Sequence, residues 1–368
     1  MDWKKVLLSD VCELIAGYAF KSKDFGNYAD KVIKITHITP PTVDMSSLIG
    51  VDMSKYDASK LDKYIARTND YVLAMTGSIG KIGRIEHGSA YINQRVLLFK
   101  PNQCVDKDYL YYVLQQYEFA QYVYNHVDSY SVQPNISANT IGKYQVLMPK
   151  LETQQKIGAL LRAYDKKIEN NRKINENLDE ISTTLFSNHY TVDMPLVPLS
   201  SIAVIKYGKG LPTKNLIPNG YPVFGGNGVI GYYSSYMYSL PQILVSCRGA
   251  ASGNVLESYP NSFVTNNSLI IELHDRRYYE FIKRYLLLNK LYKFATGSAQ
   301  PQITIDNIKD VLVPYPVFHS IEALCVQLNV LSKTAFQIKS ENAMLENVRD
   351  TLLPRLMSGE LDVSNLDI

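Results

Sequence analysis

The second half of this 368-residue chain repeats the first, and no reading of its motifs is sound until that repeat is placed. Val6-x-Leu8-Ser9-x-Val11-x-x-Leu14-x-x-Gly17 lies over Val197-x-Leu199-Ser200-x-Ile202-x-x-Ile205-x-x-Gly208 at a constant offset of 191 residues. Gly80 and Asn93 fall on Gly253 and Asn266 at an offset of 173, so the second copy is shorter in between. Ser131-Val132-Gln133-Pro134-Asn135-Ile136-Ser137 then matches Ser298-Ala299-Gln300-Pro301-Gln302-Ile303-Thr304 at 167, as do Ile141, Val146 and Pro149 with Ile308, Val313 and Pro316.

After each of those prolines the chain turns into a long polar stretch of helical period, residues 152 to about 190 and 319 to about 357. Ile157, Leu161, Tyr164, Ile168, Leu178 and Leu185 step by three and four, as do Leu324, Leu328, Leu331, Ala335, Ile338, Leu345 and Leu352. This spacing predicts an antiparallel coiled coil. A stripe of this length spans on the order of 50 Å at about 1.5 Å per residue, which is long for packing onto one small domain. Asn175 and Asn342 occupy equivalent seam positions, where a polar side chain limits slippage of the pair.

Each repeat reads as mixed α/β (α+β). Short β-rich runs such as Lys31–Ile35, Tyr71–Met75 and Ile243–Ser246 alternate with glycine-bearing turns, and a helix is expected at about 107 to 125 and 276 to 295. The organisation expected is a globular domain over 1–150, a long helix over 151–190, a second globular domain over 191–317, and a closing helix and tail over 318–368. Two cores also suit a chain of this length with 46% hydrophobic residues.

Lys+Arg 38 against Asp+Glu 35 leaves a net charge of +3, so any nucleic-acid surface must come from local clustering of basic residues. Cys12, Cys104, Cys247 and Cys325 form no C-x-x-C pair, which argues for a reduced, cytoplasmic chain without a zinc ribbon or disulfide framework. The opening Met1-Asp2-Trp3-Lys4-Lys5 leads into a mixed polar segment, and no apolar stretch suits a signal peptide or membrane span. The 28 tyrosines, clustered at Tyr109/Tyr111/Tyr112, Tyr122/Tyr124 and Tyr232/Tyr233, suit both nucleic-acid contact and plain strand packing.

The chain resembles the specificity subunits of type I restriction-modification systems over essentially its full length. The resemblance is carried by the paired Val-x-Leu-Ser openings, the segments Gln133 to Ser137 and Gln300 to Thr304, and the apolar runs ending at Pro149 and Pro316. The closing Leu352-Leu353-Pro354-Arg355-Leu356-Met357-Ser358-Gly359-Glu360-Leu361 adds to it. Glu152-x-Gln154-Gln155-Lys156-Ile157 looks like the family's usual helix start, whereas His319 to Leu324 departs from it. The resemblance implies two target-recognition domains, each reading one half of a bipartite double-stranded DNA target. The helices would set the spacer and dock two methyltransferase subunits and, through them, the restriction/translocase subunits. It implies no catalysis in this chain, with S-adenosylmethionine, ATP and Mg on partner subunits only. Tandem readers on a spacer would meet half-sites roughly one DNA turn apart, about 34 Å, or a near multiple.

Candidate DNA contacts follow from residue type. Thr76, Gly77, Ser78, Lys81 and Arg84 in the first copy, and Arg248, Gly249, Ser252 and Asn254 in the second, combine close backbone approach with donors for phosphate or base edges. Both segments read equally as tight strand-to-strand turns. Lys21, Lys23, Lys209 and Lys214, with Asn93, Gln94 and Arg95 against Asn266 and Asn267, supply the side chains that read guanine and adenine edges, although a lysine is also at home on a solvated face. Gln133, Asn135, Gln300 and Gln302 serve either as contacts or as turn caps.

Catalytic and metal signatures are missing from the sequence. No Asn-Pro-Pro-Tyr-like methyltransferase motif, phosphate loop or G-x-G-x-x-G appears, and His37, His87, His126, His189, His274 and His319 lack metal-ligand spacing. Two rival readings are a coiled-coil interaction scaffold and an unrecognised DNA nuclease or methyltransferase. The enzyme would need paired acids at a glycine loop, and Asp70 and Glu86 flank the first one.

Overall fold

A computed structural model describes residues 3–128, 134–297 and 300–364. The chain divides into two compact units, one made of Met1–Asn170 with Asn342–Ile368 and the other of Asn171–Glu341. Each long helix therefore contributes one half to each unit. Among the described residues, no helix is long and apolar enough to cross a membrane.

In the first unit the opening strand Lys4–Leu7 pairs antiparallel with Gln145–Met148, the strand that leads into the central helix. Cys12–Ala16 lies at the edge of a six-stranded sheet, beside Val96–Pro101, then Tyr71–Ala74 and Ile82–Arg84, with two short strands, Thr42–Val43 and Ile38–Thr39, beyond. A second sheet runs Ile49–Val51, Phe25–Ile33, Ser89–Ile92, Ile65–Arg67. Where a run Lys31–Ile35 is expected, the strand ends at Ile33 and a 3-10 turn, Ile35–His37, takes over, with the Lys34 N–H bonded to the His37 ring.

The second unit repeats this plan with fewer strands. Leu196–Pro198 pairs with Leu312–Pro314, and Ala203–Tyr207, Ser268–Leu273, Ile243–Ser246 and Val255–Glu257 form the main sheet in that order. The smaller sheet is Gly228–Tyr233, Tyr221–Gly225, Phe263–Val264. The single helix expected over 107–125 is two, Lys107–Val113 and Tyr117–Asn125, because the Gln115 and Gln116 N–H groups close three-residue turns onto Tyr112 and Val113. Its counterpart runs Tyr279–Leu288 behind a 3-10 turn at Arg276–Tyr278.

The long helices extend over Leu151–His189 and Phe318–Met357. They run antiparallel: in the first unit Asp165 meets Arg349 and Ile168 meets Asn342, and in the second Asn171 meets Glu341. The seam differs at its ends from a two-helix interface. Ile157 and Leu161 lie in the core of the first globular repeat, together with Leu352, Leu353, Leu356 and Met357 from the far end of the other helix. Leu324 and Leu328 join the second core, with Leu185 and Phe186. Each core is thus clasped by the start of one helix and the end of the other, so burial there comes from helix on sheet as well as helix on helix.

Between these ends the apolar seam thins. Tyr164, Leu178, Leu331, Ile338 and Leu345 are only half-buried, while the polar Asp165, Asn171, Ser182 and Asn342 are buried. Asn342 donates its amide to the Ile168 carbonyl at 3.4 Å. The Asn175 Oδ1 is buried and has no hydrogen-bond partner among the described residues. A side chain left unsatisfied in this way adds cost without a matching contact.

Candidate nucleic-acid interface

One end of the main sheet in each unit gathers most of the candidate contacts, and the same hydrogen bonds build it twice. In the first unit the Met75 N–H donates to the Arg95 carbonyl at 2.9 Å, and the Ile136 N–H to the Met75 carbonyl at 3.0 Å. In the second the Cys247 N–H donates to Asn267 at 3.0 Å, and Ile303 to Cys247 at 3.1 Å. Isolated bridges join Thr76 to Asn135 and Arg248 to Gln302. The loop after the second main strand, the turn before the strand beside it and the Gln-Pro-x-Ile segment therefore converge.

These bonds correct one register. The Asn93 N–H bonds to Ile33 and the Thr265 N–H to Phe224, so Asn93 is the counterpart of Thr265, not of Asn266. Gln94 then corresponds to Asn266, and Arg95 to Asn267. Gly80 does match Gly253, since their N–H groups bond the equivalent carbonyls of Ala74 and Ser246. Identity of asparagine misaligned a segment one residue shorter in the second copy.

Glycine roles are now explicit. Gly77 and Gly80 have φ of +67° and +85°, and Gly249 and Gly253 have +76° and +96°, a backbone region that side chains resist. A Cβ at Gly253 would also fall 2.4 Å from the Tyr292 nitrogen. Both loops are thus tight turns between strands.

The side chains at this end divide into two groups. Ser78, Lys81, Gln94, Lys209, Arg248, Asn267, Gln300 and Gln302 are exposed, and Arg95, Asn135 and Asn266 are half-buried. Others are committed inward. Ser252 is buried and donates to the Pro301 carbonyl at 2.7 Å, Thr76 is buried, and Asn254 accepts from the Tyr292 hydroxyl at 3.2 Å. Arg84 requires a correction: it is 4% exposed, ion-paired with Asp108 and 4.3 Å from the Tyr111 ring centroid. It is an internal cation holding strand to helix, not a group offered to DNA.

Lys21 and Lys23 are exposed at a 3-10 turn, Ser22–Asp24, where the Lys21 N–H donates to the Tyr56 hydroxyl at 3.1 Å. Lys214 lies exposed on the matching turn, Thr213–Asn215. None of the three takes part in the hydrogen bonds that build the loop end. Gln133 lies outside the described residues. Tyr207 and Tyr236, exposed near Lys209, were not among the sequence candidates, because one tyrosine in a chain holding 28 carries no positional signal.

The site offers binding groups rather than reacting ones. Among the described residues no cluster of His, Cys, Asp or Glu is placed to hold a metal ion. Asp70, which with Glu86 flanks the first loop in sequence, is buried and bonded by Lys107 at 3.0 Å, by Lys100 and by the Arg67 N–H at 2.8 Å. Burial alone would raise that carboxyl, but these donors outweigh it and hold it below the ordinary range. Burial pushes the Cys12 thiol up to about 12 and Cys325 to about 11, the reverse of an activated nucleophile.

The profile of a family described as "Type I restriction modification DNA specificity domain" matches residues 1–180 and 192–321. The sequence is 22% identical over 313 residues to the type I restriction enzyme MjaIX specificity subunit of Methanocaldococcus jannaschii, covering 72% of each chain. It is 24% identical over 123 residues to the EcoprrI specificity subunit of Escherichia coli, covering 32% of this chain and 31% of that one. The crystal structure of a type I restriction-modification S subunit from M. genitalium superposes with a TM-score of 0.67 at 16% identity, over 97% of this chain and 96% of the other. That likeness is one of fold, and it spans both units.

Proposed function

The chain belongs to the type I restriction modification DNA specificity family and is the specificity subunit of such a system, and on that premise we propose that each globular repeat reads one half of a bipartite DNA target. The observation that carries this reading is the duplicated loop end. One backbone frame presents Ser78, Lys81, Gln94 and Arg95 in the first unit, and Arg248, Asn266, Asn267 and Gln302 in the second. Arg and Lys suit guanine edges and Asn and Gln suit adenine edges, so equal frames with unequal side chains read unequal half-sites. Lys21, Lys23 and Lys214 then serve phosphates or plain solvation.

The subunit contributes recognition without chemistry. Two methyltransferase subunits dock on the helices and bring the restriction/translocase subunits into a cytoplasmic complex. S-adenosylmethionine, ATP and Mg belong to those partners, and an adenine in each half-site is flipped into the methyltransferase for modification.

Co-expression with the methyltransferase subunit, followed by genome-wide mapping of methyladenine, tests this. The expected result is a split motif with two short defined halves around a fixed gap. Replacing residues 1–150 by another recognition domain should then alter one half only. A complex that forms but neither methylates nor binds DNA would favour a scaffold role, and a change in both halves would refute the division of labour.

A further inference from the structure

A groove of about 810 Å³ follows the edge strand Ala203–Tyr207 of the second unit, lined among others by Lys206, Tyr207, Lys209, Tyr236, Gln242 and Arg276. Lys209 joins it to the loop end, since its carbonyl accepts the Asn266 N–H at 3.2 Å. Tyr207 and Tyr236 stand 42% and 45% exposed along it. Lys206 is neutralised by Glu272 at 2.5 Å. Among the described residues, Lys209 and Arg276 are in no ion pair; Arg276 donates instead to the Pro241 carbonyl at 2.7 Å.

The first unit has an acid just ahead of the matching strand where the second has none. The Ile85 N–H bonds to the Asp70 carbonyl and the Ser258 N–H to that of Gln242, so Gln242 stands where Asp70 does. The helix that begins at Lys107 in the first unit begins at Tyr279 in the second, so Tyr279 stands where Lys107 does and Arg276 lies just ahead of that helix. In the first unit the Asp70 carboxylate answers Lys107 at 3.0 Å. In the second the acid is replaced by a neutral amide, 5% exposed, whose Oε1 has no hydrogen-bond partner among the described residues. Two cations without a carboxylate partner favour a ligand that bears anions.

We propose that this groove holds the sugar-phosphate backbone of DNA flanking the half-site read by the second repeat, with Lys209 and Arg276 on phosphates and Tyr207 and Tyr236 against the sugars. This rests on the DNA-reading role of the loop end, with which the groove is continuous through Lys209. Such contacts position the duplex and carry no sequence information themselves.

Binding of the full chain to a random-sequence DNA duplex, followed by fluorescence anisotropy across a salt series, tests the groove. Each phosphate contact contributes a slope of about 0.9 in log K against log salt. Lys209→Gln with Arg276→Gln should lower the slope by nearly two units, and Arg276→Lys should leave it as it was. If the double variant does not fold, Lys209→Gln alone, at an exposed lysine, should remove about one unit. A slope unchanged in a folded variant, while the unsubstituted chain binds, overturns the groove and leaves the loop-end reading intact. Polyglutamate binding that depends on Lys209 and Arg276 more than DNA binding does would assign the groove to an acidic protein segment. Absence of DNA binding by the unsubstituted chain at low salt would overturn the reading itself, and the groove with it.

Discussion

The Arg349 guanidinium donates to the Asp165 carboxylate at 2.7 Å across 184 residues of sequence, tying the end of one long helix to the start of the other. The opposite carboxylate oxygen takes the Tyr112 hydroxyl at 2.5 Å, so a helix of the globular repeat joins the same acid. Removing one member of such a buried network strands the others. Asp165→Leu should cost about 3 kcal/mol in urea unfolding, and the double variant Asp165→Leu with Arg349→Met markedly less. Losses in the two single variants that simply add in the double variant would show that the pair itself contributes little.

Gly17 and Gly208 are positions where no side chain fits. A Cβ would fall 2.1 Å from the Asn93 carbonyl oxygen in the first unit and 2.2 Å from that of Thr265 in the second. Alanine at either should destabilise its own unit by about 2 kcal/mol or more. Hydrogen exchange resolved by segment checks this, with protection lost around Asn93 in one variant and Thr265 in the other.

The Asp70 carboxyl sits below its ordinary value of about 3.9 because Lys100, the Arg67 N–H and Lys107 outweigh its burial. A depressed folded value means the stabilisation is complete above the unfolded value and disappears as pH falls through the folded one. Unfolding of the first unit should therefore steepen below about pH 4. Asp70→Asn should weaken that acid dependence while lowering stability at neutral pH.

Cys104 is exposed and the other three cysteines are buried. A thiol reagent should label Cys104 alone in the native chain and all four thiols in denaturant. Rapid native labelling of Cys12, which burial pushes up to about 12, would contradict the core packing of the first repeat.

The repeat, the mixed α/β class and both long helices were legible because apolar spacing and duplicated motifs are local signals. Three features were not. The asparagine match of Asn93 to Asn266 slipped by one, since only hydrogen-bond register shows that a turn has lost a residue. Arg84 looked like a DNA contact because residue type does not reveal a partner such as Asp108, 24 positions away and brought close only by the fold. The helix seam was over-read as purely helix on helix for the same reason: a stripe at 3.6 spacing does not say whether a helix or a sheet covers it.

Main-chain bonds set the register of the loop end, from the Met75 N–H to Arg95 and from the Cys247 N–H to Asn267, while the side chains of Gln94, Asn266 and Asn267 make none of those bonds. The mounting is therefore indifferent to the lettering it carries. On the proposed reading, exchanges at these three positions should alter what each repeat reads while the strands beneath keep their register, so a change of target need not pass through an unstable intermediate.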